Sequence, residues 1–251
     1  MRECEIEITS EDRQRYGRQM LIDGWGEAGQ EKLKNAEVFV SGVGGLGSPV
    51  AIYLAVAGVG KIRVCDFDVP ELSNLNRQIL HHDARIGLNK ALSAKKTLEV
   101  LNPTVKIMEF PEKIDEDNVD RLVGTSSIIV DCMDNFETRL ILNTCAIRKK
   151  IPLVYASIWA MTGYLSFIQP PQTPCLACIF SAPPPKEKFP VVGVTPGVIG
   201  CLEAFEVLKY ITCVGQNLKN KLLIFDGAAM DFRKVAIKKN PDCPVCKNAV
   251  N

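Results

Sequence analysis

The sequence predicts an α/β protein: a doubly wound, mostly parallel β-sheet covered on both faces by helices, with an antiparallel edge. Three observations predict it. Short apolar runs alternate with helical segments through the first part of the chain. A glycine-rich turn joins the first of these runs to the helix after it. Two segments late in the chain alternate in polarity, the pattern of strands with one solvated face.

The elements follow in order. The first strand is Glu37 to Ser41, and Gly42-Val-Gly-Gly-Leu-Gly47 follows at once. A helix runs from about Ser48 to Gly58, with Pro49 in the first turn, where its missing N–H is not needed. The second strand, Lys61 to Asp66, ends on an acid. The next helix spans about Leu88 to Leu101 and stops at Asn102-Pro103. Lys106 to Phe110, Ser127 to Asp131 and Leu153 to Tyr155 read as strands buried on both faces. Gly163 to Gln169 and Asp231 to Ile237 supply the antiparallel edge. Ser181 to Pro190 is too rich in proline for a regular element and is expected as a surface loop or lid. A long helix from about Pro196 to Ile211 carries an apolar stripe of Val198, Cys201, Leu202, Phe205 and Leu208, expected to face the core. The whole, 1–251, is expected as one unit: a helical arm over 1–36, a core over 37–160 and an antiparallel portion over 161–251.

Length and charge narrow the function. At 251 residues the chain can bury a sizeable core. With 30 basic against 29 acidic side chains, no strong attraction to nucleic acid or an anionic membrane follows. No apolar run reaches the roughly 18 to 20 residues of a membrane span. Met1 to Asp12 is charged and polar, unlike an export signal, so a reducing cytoplasm is the expected home.

The turn matches G-x-G-x-x-G in the required context of strand before and helix after. Gly42, Gly44, Gly45 and Gly47 permit a tight turn and let phosphate approach backbone N–H groups at a helix N-terminus, as in Rossmann-like sheets. Asp66 lies about 20 residues on, where an acid accepts hydrogen bonds from a ribose hydroxyl. The pair marks a nucleotide site without identifying the nucleotide. Alone, it favours a nicotinamide enzyme.

Later residues shift that balance. Ser73-Asn-Leu-Asn-Arg-Gln78 follows the second strand, and Asn74, Arg77 and Gln78 offer donors for anionic oxygen. Lys90 opens the next helix and can converge on the same anion. Either cation alone would be an ordinary surface charge; both beyond one phosphate turn are not. Asp131 ends the fourth strand, where a carboxylate faces the nucleotide crevice of such sheets, and is the expected magnesium ligand. Asp134 is expected to cap the helix beginning near Asn135, with Glu137 completing a capping box; Asn135 is left open. Arg15 and Arg18 share a face of a short N-terminal helix, where Glu11 can pair with Arg15, and by themselves read as solvated.

Ten cysteines are present, and four form two CxxC pairs. Cys175, Cys178, Cys243 and Cys246 offer four thiolates at the spacing of a tetrahedral zinc site. With every ligand from protein, such a site is closed and structural. It would fasten the C-terminal tail to a loop far upstream.

In order along the chain, Arg15-Tyr-Gly-Arg-Gln19, Gly42 to Gly47, Asp66-Phe-Asp68, Ser73 to Gln78, Lys90, Asp131 to Asn135, both CxxC pairs and Asn240-Pro-Asp-Cys243 resemble the MoeB/ThiF/HesA family, which includes the adenylation domains of ubiquitin-activating enzymes. The pattern looks nearest to the molybdopterin-synthase adenylyltransferase branch and its thiazole-pathway cousin. The resemblance implies an adenylyltransferase that uses ATP and Mg²⁺. Its substrate would be the C-terminal glycine carboxylate of a ubiquitin-like sulfur-carrier protein ending in Gly-Gly, in molybdenum cofactor, thiamine or related biosynthesis. Asp66, Asp68, Asn74 and Asn135 would lie on the nucleoside side, and Gln78, Arg77, Lys90 and magnesium on Asp131 would meet the triphosphate. It also reverses the reading of Arg18, which would enter the neighbouring subunit's site in a homodimer.

One departure matters. Several relatives carry a cysteine in the loop after the first CxxC that takes over the activated partner, whereas residues 179 to 200 contain none. Cys201 is the nearest, and it falls on the apolar stripe. The chain is therefore expected to stop at the adenylate and leave sulfur transfer to a separate persulfide donor. Two other readings compete. An NAD-dependent oxidoreductase leaves Arg77, Lys90 and Asp131 without a purpose. A tRNA-modifying dehydratase of the same superfamily fits poorly with paired CxxC motifs and a neutral net charge.

Overall fold

The computed structural model describes residues 7–180 and 190–247. Two helices come first, α1 (Ser10–Met20) and α2 (Gly26–Asn35), and the sheet then begins. Its parallel part alternates with helices: β1 (Glu37–Ser41), α3 (Gly47–Val56), β2 (Lys61–Cys65), α4 (Lys90–Leu101), β3 (Lys106–Phe110), α5 (Val119–Val123), β4 (Ile128–Asp131), α6 (Phe136–Lys149) and β5 (Leu153–Trp159). The antiparallel part follows with β6 (Thr162–Ile168), a short α7 (Leu176–Ile179), a long α8 (Val194–Thr212), β7 (Lys221–Asp226) and β8 (Asp231–Ala236).

All eight strands form one sheet in the order β3-β2-β1-β4-β5-β6-β7-β8. Strands β3 to β5 pair in parallel and β6 to β8 antiparallel. Successive side chains of a strand point to opposite faces, so the sheet serves two cores. Val38, Val40, Ile128 and Val130 point to one core, shared with Leu33 of α2, Leu54 of α3, Ala94 of α4 and Val207 of α8. Phe39 and Ile129 point to the other, with Leu122 of α5, Leu142 of α6 and the four CxxC cysteines on its rim. Strand order reverses between β2-β1 and β4, which opens a crevice at the carboxyl ends of β1 and β4.

The structure corrects several expectations. Leu153 begins a strand that runs on to Trp159, because it pairs along its whole length with β6. Lys221–Asp226 was not expected as a strand: four apolar residues between polar flanks carry no period, and pairing to β6 and β8 decides the matter. The stripe on α8 is a core face only in part: Val198, Leu202 and Leu208 pack against the first core, and Phe205 turns away from it. Phe205 is 61% exposed and Cys201 and Leu202 only half-buried, while Glu203 and Glu206 are buried. Glu206 can turn inward because Lys209, Asn217 Nδ2 and the Leu218 N–H bind its carboxylate. The proline-rich stretch lies, apart from Pro190, outside the described residues.

Candidate functional site

The glycine turn leaves β1 at the reversal point. Gly42 has φ +81°, and a Cβ there would sit 2.9 Å from the Cys132 carbonyl oxygen. At Gly47 a Cβ would come within 1.9 Å of the Gly42 oxygen, so the helix can start this close to the strand only without a side chain. Asp66 braces the turn: its Oδ2 accepts the Val43 N–H at 3.0 Å and its Oδ1 the Asp68 N–H at 3.0 Å. Burial lifts the Asp66 carboxyl above its ordinary range, and the Lys90 ammonium opposes that rise.

Lys90 begins α4, where Asn89 caps the helix and ties it to the carbonyls of Asp66 and Asp68. Its side chain is buried, and its ammonium lies 3.2 Å from Asp68 Oδ2. On the other flank, Asn74 sits in a single 3-10 turn and accepts the Glu71 N–H at 3.2 Å. Arg77 donates to the Ser73 carbonyl and Asn76 Oδ1, both at 2.9 Å, and has no carboxylate partner among the described residues. Its Cγ lies 3.6 Å from where a Gly45 Cβ would stand. Gln78 approaches Gly44 in the same way, at 3.4 Å through Nε2, and its buried Oε1 has no hydrogen-bond partner. Neither the Gly44 nor the Gly45 N–H donates to any described residue. Arg77, Gln78 and two free backbone donors thus ring one half-exposed spot, an anion cradle by composition.

Asp131 lies opposite Ser41 in the β1–β4 register, one strand from the turn. It is fully buried; Oδ2 meets Arg139 Nη1 at 3.2 Å and Oδ1 accepts the Met133 N–H at 3.1 Å. Burial raises this carboxyl as well, and the guanidinium opposes the rise. Arg139 also donates to the carbonyls of Ala156 and Met133 and stacks over the Tyr155 ring, which fixes its guanidinium beside Asp131. A second acid, Glu203 of α8, is wholly buried, and its one hydrogen-bond partner among the described residues is the Cys132 thiol, 3.9 Å from either oxygen. Burial, with the Asp131 charge adding to it, pushes the Glu203 carboxyl well above its ordinary range, and the Arg139 guanidinium opposes that rise.

The cap of α6 is a correction. Asn135, not Asp134, holds extended backbone and accepts the Thr138 N–H at 2.9 Å. Asp134 stays exposed. Arg15 pairs with Glu11 at 3.4 Å as expected, and Arg18 is exposed with no partner among the described residues. Sequence reading missed three residues of the site: Arg139, Glu203 and His81. His81 is buried, with Nε2 3.0 Å from the Val43 carbonyl oxygen and Nδ1 2.9 Å from Ser93 Oγ.

The four CxxC cysteines meet on the rim of the second core. Their sulfurs all lie within 4.8 Å of one another. Cys175 stands 3.9 Å from Cys178 and 3.6 Å from Cys243, and Cys178 3.4 Å from Cys246. Tetrahedral zinc with bonds of about 2.3 Å sets its sulfurs about 3.8 Å apart, so the cluster fits that ion. No helix among the described residues is long and apolar enough to cross a membrane.

Comparison with known proteins gives a consistent pattern. The ThiF family matches residues 16–245. The chain is 40% identical to the heterocyst protein HesA of Trichormus variabilis over 97% of its own length and 92% of that protein. It is also 40% identical to the sulfur carrier protein adenylyltransferase of Thermus thermophilus, over 95% of this chain and 92% of the relative. Among solved structures, E. coli MccB with ATP superposes with a TM-score of 0.84 at 26% identity, covering 96% of this chain and 76% of that one.

Proposed function

The chain belongs to the ThiF family, and from that premise we propose that it uses ATP to activate the C-terminal glycine carboxylate of a small ubiquitin-like sulfur-carrier protein. It is an adenylyltransferase, as the relative from Thermus thermophilus is named. The carrier carboxylate oxygen attacks the α-phosphorus, the bond from that phosphorus to the bridging oxygen breaks, and acyl-adenylate and pyrophosphate result. The reaction needs placement and charge compensation rather than a protein nucleophile. The observation that carries this reading is the convergence of Arg77, which has no carboxylate partner among the described residues, the Gln78 amide and the free N–H groups of Gly44 and Gly45 on one spot. Lys90 joins them by leaving Asp68 for a phosphate oxygen, while Asp66 and Asn74 take the ribose and adenosine side. The Asn135 oxygen is committed to its cap, which leaves its amide NH₂ for the nucleotide. A carrier is favoured over a short peptide because relatives at 40% identity include one named for sulfur carriers, against 26% for MccB.

Magnesium belongs to the proposal with Asp131 as its protein ligand. The donor suits it: each carboxylate oxygen has one partner and keeps a lone pair, and magnesium takes carboxylate together with water and phosphate. Complete burial means that neighbouring residues move to admit the ion. When bound, it would neutralise phosphate charge. Zinc in the cysteine cluster is structural in this reading and fastens 243–246 to 175–178.

A homodimer with shared sites completes the proposal. Gln19, next to Arg18, binds the Ala57 carbonyl at 2.8 Å, at the far end of α3 from the glycine turn. Ten residues of helix separate the two ends, about 15 Å at 1.5 Å per residue, further than an arginine side chain extends. That separation supports a role for Arg18 in the site of a second copy. Molybdopterin, thiazole and related pathways remain candidate destinations for the carrier, and a separate persulfide donor would consume the adenylate. ATP–pyrophosphate exchange that depends on a carrier ending in Gly-Gly is the test of the activity.

A further inference from the structure

Both polar groups of Val43 are pinned. Its N–H is held by Asp66 and its carbonyl by His81, each at 3.0 Å. The Pro170–Pro171 bond is the only cis peptide among the described residues, so the Val43–Gly44 peptide is trans. In a trans peptide the C=O and the following N–H point in opposite directions across one plane. A carbonyl drawn inward to a buried imidazole thus turns the Gly44 N–H outward. The preceding peptide obeys the same rule: its N–H goes to Asp66, and its Gly42 oxygen points the other way, against Gly47.

The proton on His81 follows from its partners. A carbonyl only accepts, so Nε2 carries the hydrogen. Burial, aided by the charges of Lys90, Arg85 and His82, holds the imidazole pKa down to about 4, so the ring is neutral and Nδ1 accepts from the Ser93 hydroxyl. Ser93 and Lys90 are three residues apart on α4 and share a face. The ring of contacts closes there: Ser93 to His81, His81 to Val43, Val43 to Asp66, Asp66 to Asp68, and Asp68 back to Lys90.

We propose that His81 is a positioning residue that aims the Gly44 N–H at the nucleotide phosphate by holding the Val43 carbonyl from behind. The inference rests on the nucleotide reading of the turn. It assigns no contact between His81 and substrate; the imidazole works through one peptide plane.

Calorimetry on the full chain separates this role from a merely structural one, with ATP-magnesium and adenosine as paired probes. His81→Asn keeps an amide near the Nδ1 position, where it can meet Ser93, but is too short to reach Val43. His81→Gln places a donor where Nε2 stood. His81→Asn should weaken ATP-magnesium about tenfold to about a hundredfold, the worth of a hydrogen bond to a charged group, and leave adenosine binding unchanged. His81→Gln should bind both like the unmodified chain. Equal ATP affinity in the two variants, or parallel loss of ATP and adenosine, would overturn the proposal while the nucleotide reading stands. An unmodified chain that binds no ATP would overturn both. Should His81→Asn fail to fold, Ser93→Ala, which loosens the imidazole without removing it, must show the same selective loss of ATP, and equal loss of both probes would again overturn it.

Discussion

Arg139 reaches Asp131 from the next helix at 3.2 Å and opposes the rise that burial imposes on its carboxyl. Both side chains are buried, so the pair gains its full value only while both partners are present. Arg139→Met should cost about 3–5 kcal/mol, because it strands a buried carboxylate. Denaturant midpoints check this, and a loss under about 1 kcal/mol would mean that water reaches Asp131. At this scale the sequence was legible where one residue type carries the signal. The glycines, Asp66, Arg77, Lys90 and the four cysteines were found that way. Arg139 and Glu203 were not, because a buried ionisable group announces itself only through partners, here eight and 71 positions away. The cap of α6 shows the same limit. Asp134 and Asn135 are both good capping types, and only the extended backbone at Asn135 decides between them.

Among the elements, α8 departs most from its pattern. An apolar stripe on a helix ordinarily faces the core of its own chain. Here Val198, Leu202 and Leu208 of the stripe do pack on the core beside Ile199 and Val207, but Glu203 and Glu206 are buried with them while Phe205 and Val194 face outward. The period of the stripe was legible, but the outward turn of Phe205 and the burial of Glu203 and Glu206 were not, because the partners that let Glu206 turn inward, Lys209 and Asn217, meet it only in the fold. The exposed Val194 and Phe205 and an exposed Arg18 with no partner among the described residues suit a second copy. Mixing inactive Arg18→Ala with inactive Asp131→Ala should therefore restore part of the activity, since a mixed dimer holds one intact composite site. Activity no higher than that of either variant alone would contradict sharing between subunits.

At the scale of the molecule, the inner parallel strands were readable because runs buried on both faces look alike, whereas Lys106–Phe110, expected to be buried in the same way, forms the sheet edge and buries only Ile107. The antiparallel edge was half readable: β6 and β8 alternate in polarity and β7 does not. The order of strands, with its reversal beside β1, came only from the structure, although the glycine turn marks that point in sequence. The cysteine cluster ties this edge together, joining positions 68 apart. Purified protein should carry about one zinc per chain, and chelation or Cys246→Ser should lower the melting temperature through loss of that staple. Metal content below about half an ion per chain, with melting unchanged by chelator, would contradict a structural zinc.

The account as a whole depends on phosphate meeting Arg77, Lys90 and the backbone of the turn while a carrier tail supplies the carboxylate. Exchange of labelled pyrophosphate into ATP measures that event directly. The full chain should catalyse exchange with a carrier ending in Gly-Gly, lose it when the two glycines are removed, and lose it in Arg77→Ala and Lys90→Ala. Exchange that is absent with every such carrier, together with thermal protection by NADH and none by ATP-magnesium, would contradict the assigned activity.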